Sequence, residues 1–172
     1  GLGDVYKRQD FVLIAGDLFD TAMPPIDYLR RTVKALMQLK KKKIPVYTIE
    51  GSHDYSPSGK TMIKVLEEAE LLKNVFRYEK IGEGEDAKIK LKFTKDEKTG
   101  AKITGIMGKS SQLDKKYYEN LERYELEKEN GFKIFMFHNS ITELKPPEME
   151  KMESEPVKIL PKNFDYYAGG HI

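Results

Sequence analysis

The sequence predicts an α/β fold in which parallel strands alternate with helices and an antiparallel hairpin makes the sheets mixed. Three observations lead to this prediction: apolar runs that end in glycine, an amphipathic stretch between two of them, and alternating stretches around a polar turn. A strand–helix–strand unit favours a parallel pair joined by a right-handed crossover, whereas alternation on both sides of a turn favours an antiparallel pair.

The first half of the chain contains the strand–helix–strand unit. Residues 10–16 and 44–51 are short apolar runs rich in β-branched residues, a pattern typical of strands buried on both faces. Between them, apolar positions recur on one helical face over residues 27–43, which predicts an amphipathic helix. A second helix is predicted to follow over residues 58–72, with Ser58 as its N-cap.

The second half is predicted to complete a mixed sheet. Residues 87–107 form two alternating stretches around the turn KDEKTG, the pattern of a hairpin. Residues 114–130 are predicted to form a charged helix, and residues 132–138 an apolar strand that ends at a histidine. Residues 143–163 are rich in Pro, Glu and Lys and are predicted to follow the surface. Residues 165–172 begin a further strand that leads into a loop.

The length suits one domain or part of a larger one. Of the 172 residues, we expect 10–172 to form a partial domain and 1–9, which carry no periodicity, to be a non-native or disordered leader. Hydrophobic residues make up 39% and charged residues 34%, as in globular proteins with a charged surface. No apolar run approaches the roughly 20 residues that a membrane-spanning helix needs, so we expect a cytoplasmic protein with no membrane contact.

Composition excludes several chemistries. The chain has no cysteine, which excludes disulfides, thiolate metal sites and cysteine nucleophiles. Any metal must therefore be held by His, carboxylate or hydroxyl groups. The net charge of +2 gives no support for the broad positive field of many nucleic-acid-binding proteins, so nucleic-acid binding has to be argued from a site.

The candidate site residues follow the predicted strands. The chain has three histidines, and His53, His138 and His171 each follow an apolar run, as does Asp17. Open α/β sheets bind ligands at the carboxyl ends of their strands, and imidazole with carboxylate on glycine-preceded loops makes a divalent-metal site. A single histidine in such a place is a hydrogen-bonded core residue about as often as it is a metal ligand. The common placement of all of them favours a metal site.

These residues also carry a family resemblance. In order and spacing, GDLFD at 16–20, GSHD at 51–54, His138 in FMFHNS and GGHI at 169–172 resemble the successive motifs of the calcineurin-like phosphoesterases. Within that superfamily, GDLFD followed by two prolines and the ending YYAGGHI resemble the archaeal and bacterial repair nucleases of the SbcD type, equivalent to the eukaryotic meiotic-recombination-eleven nuclease. The resemblance implies a metallophosphoesterase sandwich of mixed β-sheets flanked by helices, incomplete here.

Carried over residue by residue, the resemblance implies roles for the site residues. Asp17 would bridge two metal ions, usually manganese in this group, and His138 and His171 would bind one of them. Ser52 stands where the family has an asparagine ligand, and a neutral hydroxyl is a poorer ligand than an amide oxygen. His53 would act on the scissile phosphate without binding metal, with Asp54 orienting its ring.

The resemblance also marks departures from the family pattern. Asp20 stands where many repair nucleases have a second histidine that binds no metal. The family's Asp-x-His would precede residue 10, and the second histidine of its Gly-His-x-His would follow residue 172, so the chain is expected to be truncated at both ends. Because those ligands serve the other ion and a two-metal site needs both ions, we expect the chain alone to be inactive.

Three functions follow as hypotheses. The first is a manganese-dependent DNA exonuclease and endonuclease domain in double-strand break repair, with DNA and an SMC-like ATPase of the SbcC or Rad-fifty type as partners and a homodimer of the full-length protein. The second is a phosphodiesterase or phosphatase for a small phosphoester, since the same metal core would serve it equally well. The third is a non-catalytic scaffold for the ATPase, with Ser52 and Asp20 as marks of a decayed site.

Overall fold

Two sheets that consist mainly of parallel strands lie face to face in the computed structural model, which describes residues 9–54, 56, 59–84, 87–108, 114–149, 151 and 153–171. The first sheet contains three parallel strands in the order β1 (Val12–Ala15), β2 (Val46–Ile49) and β3 (Lys73–Asn74). A helix connects each of these strands to the next along the chain, and such crossover connections join parallel strands.

The second large sheet is mixed. Its strands follow the order β6, β7, β8, β9, in which β6 and β7 are antiparallel and the other neighbours are parallel. A separate antiparallel pair, β4 and β5, precedes it in the chain. The bounds of these strands are β4 Tyr78–Ile81, β5 Lys88–Leu91, β6 Thr94–Lys95, β7 Lys102–Gly105, β8 Lys133–Phe137 and β9 Tyr166–Gly169.

Four α-helices and three short 3-10 helices connect the strands in the described part of the chain. The α-helices are α1 Ile26–Lys41, α2 Met62–Glu68, α3 Lys115–Glu119 and α4 Arg123–Lys128. The 3-10 helices are Thr142–Leu144, Pro147–Met149 and Val157–Ile159. None of the helices in the described ranges is both long and apolar enough to cross a membrane.

Alternation along the strands creates three apolar layers. Between the two large sheets, Ile49 of β2 packs with Ile103 of β7 and Met136 of β8. On the outer face of the first sheet, Leu36 and Ile63 belong to a second cluster that joins α1 and α2 to β2. Successive side chains of a strand point to opposite faces, so each central strand serves two layers.

The outer face of the second sheet carries the third layer. Phe135 and Phe137 of β8 belong to a cluster with Ile89 of β5, Tyr118 of α3 and Leu126 of α4. The resulting order is helices, sheet, sheet, helices. The predicted α/β fold is therefore confirmed, and β2 and β8 are buried along their whole described length.

The strand–helix–strand unit forms as predicted, with a difference in burial. The predicted strands over residues 10–16, 44–51 and 132–138 are present, and the predicted helix over residues 27–43 spans Ile26–Lys41. However, β1 is partly exposed along its whole length, so the expectation of burial on both faces is wrong for it. The reason is that β1 lies at the edge of its sheet among the described strands.

The second helix is shorter than predicted and has a different cap. It spans Met62–Glu68, and the side chain of Thr61 accepts a hydrogen bond from the Lys64 N–H at 3.4 Å. The predicted cap, Ser58, lies outside the described residues. The helix stops before residue 72 because Glu70 has a φ of 54°, a left-handed conformation that a helix cannot contain.

The single helix predicted over residues 114–130 is wrong, because the chain forms α3 and α4 with a break between them. At the break, the Ile89 N–H donates to the Asn120 carbonyl at 2.8 Å and the Glu122 N–H donates to the Ile89 carbonyl at 2.9 Å. These bonds to β5 use backbone groups that a continuous helix would need. Leu121 is buried as a result.

The predicted hairpin over residues 87–107 is present only at its tip. Thr94 and Lys95 pair with residues 103 and 102, whereas β5 pairs with β4 instead. The two stretches diverge because they serve different layers: Ile89 packs on the outer cluster and Ile103 packs between the sheets. Alternation predicts the strands but does not fix their partners.

The terminal and surface segments complete the comparison. Residues 1–8 lie outside the described residues, and the assignment of 1–9 as a leader stays a prediction. The surface segment 143–163 contains the three 3-10 helices, but Leu160 is buried in the outer cluster. The segment is therefore anchored rather than wholly superficial, and the Arg123 guanidinium donates to the carbonyls of Ile159 and Leu160 at 2.6 and 3.1 Å.

We expect stability to depend on pH through Asp96, a buried carboxylate in the β6–β7 turn. Burial raises its pKa, but hydrogen bonds from Thr99 and Tyr47 lower it more, so the pKa lies below the ordinary value. A depressed folded-state pKa stabilises the fold above the unfolded pKa of about 3.9 and loses that effect as pH falls through the folded value. Asp96→Leu should therefore cost about 1–3 kcal/mol at pH 7, with a smaller cost in acid, by urea denaturation. A cost independent of pH would contradict this.

Candidate metal centre

The candidate site lies where the strands of both sheets end. The register pairs Ala15 of β1 with Ile49 of β2, and Phe137 of β8 with Gly169 of β9. Because the strands in each pair are parallel, their carboxyl ends share an edge of the sheet. The loops that follow carry Asp17, Ser52, His53, His138 and His171.

Three of these side chains converge. Asp17, His138 and His171 each offer one ligand atom, and the three atoms lie within 4.8 Å of one another. The ring centroids of the two histidines are 5.0 Å apart. A carboxylate and two imidazoles at this separation form a group that could hold a divalent cation.

His138 is fixed in a ligand-like state. Its Nδ1 lies 2.7 Å from the Ala15 carbonyl oxygen, which can only accept, so Nδ1 carries a proton, and Nε2 presents a lone pair when the ring is neutral. That buried Nε2 has no hydrogen-bond partner, although the Asp17 Oδ2 lies 3.0 Å from it. Two acceptor atoms in that position repel each other unless a proton or a cation lies between them. The geometry therefore fits a metal ion.

The backbone at Gly16 and Asp17 adopts left-handed dihedral angles. Gly16 has a φ of 86°, and Asp17 follows with a φ of 51°, so two successive residues adopt left-handed conformations. Glycine does so without steric cost, and aspartate is among the residues that tolerate it. Residues held in such conformations cluster at functional sites. The turn directs the Asp17 carboxylate to the edge where β8 and β9 end.

Gly51 lets the loop after β2 approach Asp17 closely. A Cβ at Gly51 would lie 2.2 Å from Asp17 Oδ1 and 2.3 Å from its backbone nitrogen. No larger residue fits without displacing the carboxylate. The GSHD loop and the Asp17 turn are therefore in direct contact, through a position where only the absence of a side chain permits it.

His171 is exposed and electrostatically suited to metal binding. Burial lowers its pKa, and the neighbouring His138 lowers it further, so the neutral imidazole is favoured near pH 7. The neutral ring is the form that binds metals. Its φ of 71° is again left-handed, and Ser140 Oγ lies 3.5 Å from its carbonyl oxygen.

Ser52 and His53 lie in the turn that touches Asp17. The His53 N–H donates to Asp17 Oδ1 at 2.9 Å, while its side chain is exposed to solvent. Ser52 is half-buried and lies in the same turn, directly before the His53 N–H that contacts the Asp17 carboxylate. The role of Ser52 as a ligand stays a prediction.

Asp54 has a different role from the one predicted. It is 2% exposed, and its carboxylate accepts hydrogen bonds from the N–H groups of Leu18, Phe19 and Gly51 at 3.0–3.2 Å. Burial raises its pKa, and these backbone bonds lower it in part. Its hydrogen bonds in the described part of the chain go to the backbone, so Asp54 joins the two loops instead of orienting the His53 ring. Asp20 is exposed in the first of those loops.

The fold and site together define a class of protein. The chain belongs to the calcineurin-like phosphoesterase family, whose sequence pattern matches residues 3–172. The predicted sandwich of mixed sheets flanked by helices is confirmed by this match and by the layer order described above. Members of this family bind divalent metals, in agreement with the Asp17, His138 and His171 group.

Curated relatives narrow the resemblance. The DNA double-strand break repair protein Mre11 of Methanococcus maripaludis is 33% identical over 169 residues, covering 96% of this chain and 41% of that protein. The Mre11 protein of Methanocaldococcus jannaschii is 31% identical over 166 residues, covering 96% and 40%. The uncharacterized metallophosphoesterase YhaO of Bacillus subtilis is 30% identical over 177 residues, covering 98% and 38%. The chain thus spans about two fifths of these relatives.

Proposed function

We propose that this chain is the metal-binding core of a DNA nuclease that acts in double-strand break repair. The nuclease hydrolyses phosphodiester bonds with two divalent ions, and manganese is the metal that we propose. The observation that carries the proposal is the buried Nε2 of His138, which has no hydrogen-bond partner and lies 3.0 Å from Asp17 Oδ2. Several curated relatives are named as repair proteins, which supports DNA as the substrate.

Asp17, Ser52, His138 and His171 would hold one ion, and Asp17 would also contact the second. Two imidazoles and a carboxylate suit both Mn²⁺ and Zn²⁺. A further oxygen ligand, either the Ser52 hydroxyl or a water molecule bound to that hydroxyl, suits Mn²⁺ better. When bound, such a pair of ions supplies an activated water and neutralises charge on the phosphoryl oxygens. The protein's part is to hold the ligands in place and to orient the phosphate.

His53 is proposed to act on the substrate. Its backbone N–H is fixed on Asp17 Oδ1 at 2.9 Å, while its ring is exposed at the site. The backbone contact with Asp17 and the exposure of His53 support a role for its ring beside the metal group, where a phosphate could reach it. A protonated imidazole there can stabilise charge on the phosphate and pass its proton to the oxygen that leaves.

The partners are proposed for the full-length protein. DNA is the substrate, an SMC-like ATPase of the SbcC or Rad-fifty type is the protein partner, and two copies form a homodimer in the cytoplasm. The relatives are named as DNA double-strand break repair proteins, which supports DNA as the substrate. The chain spans about two fifths of those relatives, so ATPase binding and dimer formation are attributed to the whole protein.

The test is cleavage of linear duplex DNA by the full-length protein with Mn²⁺. His53→Ala should lower the rate roughly 100-fold without changing Mn²⁺ affinity, because it removes proton transfer but no ligand. Lys43→Ala, an exposed change at the end of the sheet opposite to the site, is the matched control and should cleave normally.

Each other outcome selects a different function. Cleavage of bis(p-nitrophenyl) phosphate without cleavage of DNA would favour a phosphodiesterase for a small phosphoester. Tight Mn²⁺ binding without cleavage of either substrate would favour the non-catalytic scaffold. Absence of Mn²⁺ binding would overturn the proposal entirely.

A further inference from the structure

A buried polar network lies directly behind His138. The Asn139 amide Nδ2 donates to the Asp114 carboxylate, and the Tyr118 hydroxyl donates to Asn139 Oδ1 at 3.0 Å. Asp114 is 4% exposed and Tyr118 is 3% exposed. Asp114 immediately precedes α3 and Tyr118 lies within it. The start of this helix therefore holds both Nδ2 and Oδ1 of the Asn139 amide.

The orientation of the Asn139 amide is determined by these partners. An ionised carboxylate can only accept, so it selects the Nδ2 end of the amide, which leaves Oδ1 for a donor. Burial raises the pKa of Tyr118 well above its ordinary value, so its hydroxyl keeps its proton. Each group in the network therefore has one consistent role, and the peptide that follows His138 is held in a single position.

The network reaches two of the proposed metal ligands. Asn139 is covalently joined to His138, and the next residue, Ser140, has its Oγ 3.5 Å from the His171 carbonyl oxygen. Residues 138–140 thus link the ligand His138 to the Asn139 amide held by α3 and to the loop that carries the ligand His171.

We infer that Asp114 and Tyr118, acting through Asn139, position His138 and His171 for metal binding. This inference rests on the proposed function, since it requires a metal at that site. The three residues are positioning residues, because none of them belongs to the ligand group formed by Asp17, His138 and His171. Groups that orient metal ligands commonly change metal affinity 10- to 100-fold when they are replaced.

The experiment measures Mn²⁺ binding to the 172-residue chain by electron paramagnetic resonance, in which the signal of free Mn²⁺ falls as the ion binds. Asn139→Leu should weaken binding by about 10- to 100-fold. Asp114→Leu should weaken it similarly, whereas Asp114→Asn, which keeps an acceptor for the Asn139 amide, should restore most of the affinity. Tyr118→Phe removes one hydroxyl, keeps the ring in the core, and should weaken binding by about five-fold.

The matched control is Asn74→Leu. The Asn74 side chain accepts a hydrogen bond from the Phe76 N–H at 2.9 Å and lies in β3, outside the site. It should lower the melting temperature without changing Mn²⁺ affinity, which separates a general loss of stability from a loss of positioning. If Asn139→Leu does not fold, Tyr118→Phe and the two Asp114 variants still decide.

The outcomes distinguish this inference from the proposed function. If the unaltered chain binds no Mn²⁺, the proposed function fails and the inference fails with it. If the unaltered chain binds Mn²⁺ and folded variants of the network bind it equally well, the inference alone is overturned. Equal losses in Asp114→Asn and Asp114→Leu would also overturn it, because charge rather than the hydrogen-bonded position of Asn139 would then govern affinity.

Discussion

Asp54→Leu is expected to lower the free energy of unfolding by roughly 3–5 kcal/mol and to abolish Mn²⁺ binding. The carboxylate accepts three backbone hydrogen bonds, from Leu18, Phe19 and Gly51. Leucine has a similar size but accepts none of them, so the substitution leaves three N–H groups without their partner. Each buried donor without a partner costs about 1–3 kcal/mol.

Metal binding should fail in the same variant because Asp54 joins the loop after β1 to the loop after β2. The first loop carries Asp17 and the second carries Ser52 and His53. Urea denaturation and Mn²⁺ titration would measure the two effects. Asp20→Leu is the matched control, since Asp20 is an exposed carboxylate in the first of these loops, and it should change stability by less than about 0.5 kcal/mol. A cost below about 1 kcal/mol for Asp54→Leu would contradict the assigned role.

Gly51→Ala is expected to lower the free energy of unfolding by about 3 kcal/mol and Mn²⁺ affinity by at least about 100-fold. The added methyl group would lie 2.2 Å from Asp17 Oδ1 and 2.3 Å from the Asp17 backbone nitrogen. The backbone atom cannot move independently of β1, so the two loops must separate. Asp17 would then leave the position in which its Oδ2 lies 3.0 Å from His138 Nε2.

Gly84→Ala is the control for this substitution. A Cβ at Gly84 would meet no atom within 4 Å, and its φ of 79° adds only a conformational cost of about 1 kcal/mol. Mn²⁺ affinity should be unchanged in that variant. Equal effects of the two substitutions would contradict the role assigned to the contact between Gly51 and Asp17.

The sequence predicts the carboxyl ends of β1, β8 and β9 well because these strands are short apolar runs bounded by glycine. Asp17, His138 and His171 each follow such a run, and the parallel register brings them to one edge. This agreement has a physical origin. Residues that follow parallel strands are neighbours in space whenever the strands are neighbours in the sheet.

Other features depend on contacts between distant residues and have no local signature. The break between α3 and α4 is set by hydrogen bonds to Ile89, and the partner of β5 is set by the layer that its side chains enter. Asp54 lies beside His53 in the sequence, which suggests a contact between their side chains, but burial directs its carboxylate to backbone groups. The bond between Asn139 and Asp114 spans 25 residues and involves no recognisable motif.

The hydrogen bond between His138 Nδ1 and the Ala15 carbonyl spans 123 positions of the chain and joins one large sheet to the other. The proposed cation site therefore does not exist in either half of the molecule and forms only when the halves dock. An ion that binds the docked state alone stabilises it by mass action. Manganese should consequently slow the separation of the two halves, so that hydrogen exchange in the core between the sheets becomes slower as the concentration of the ion is raised.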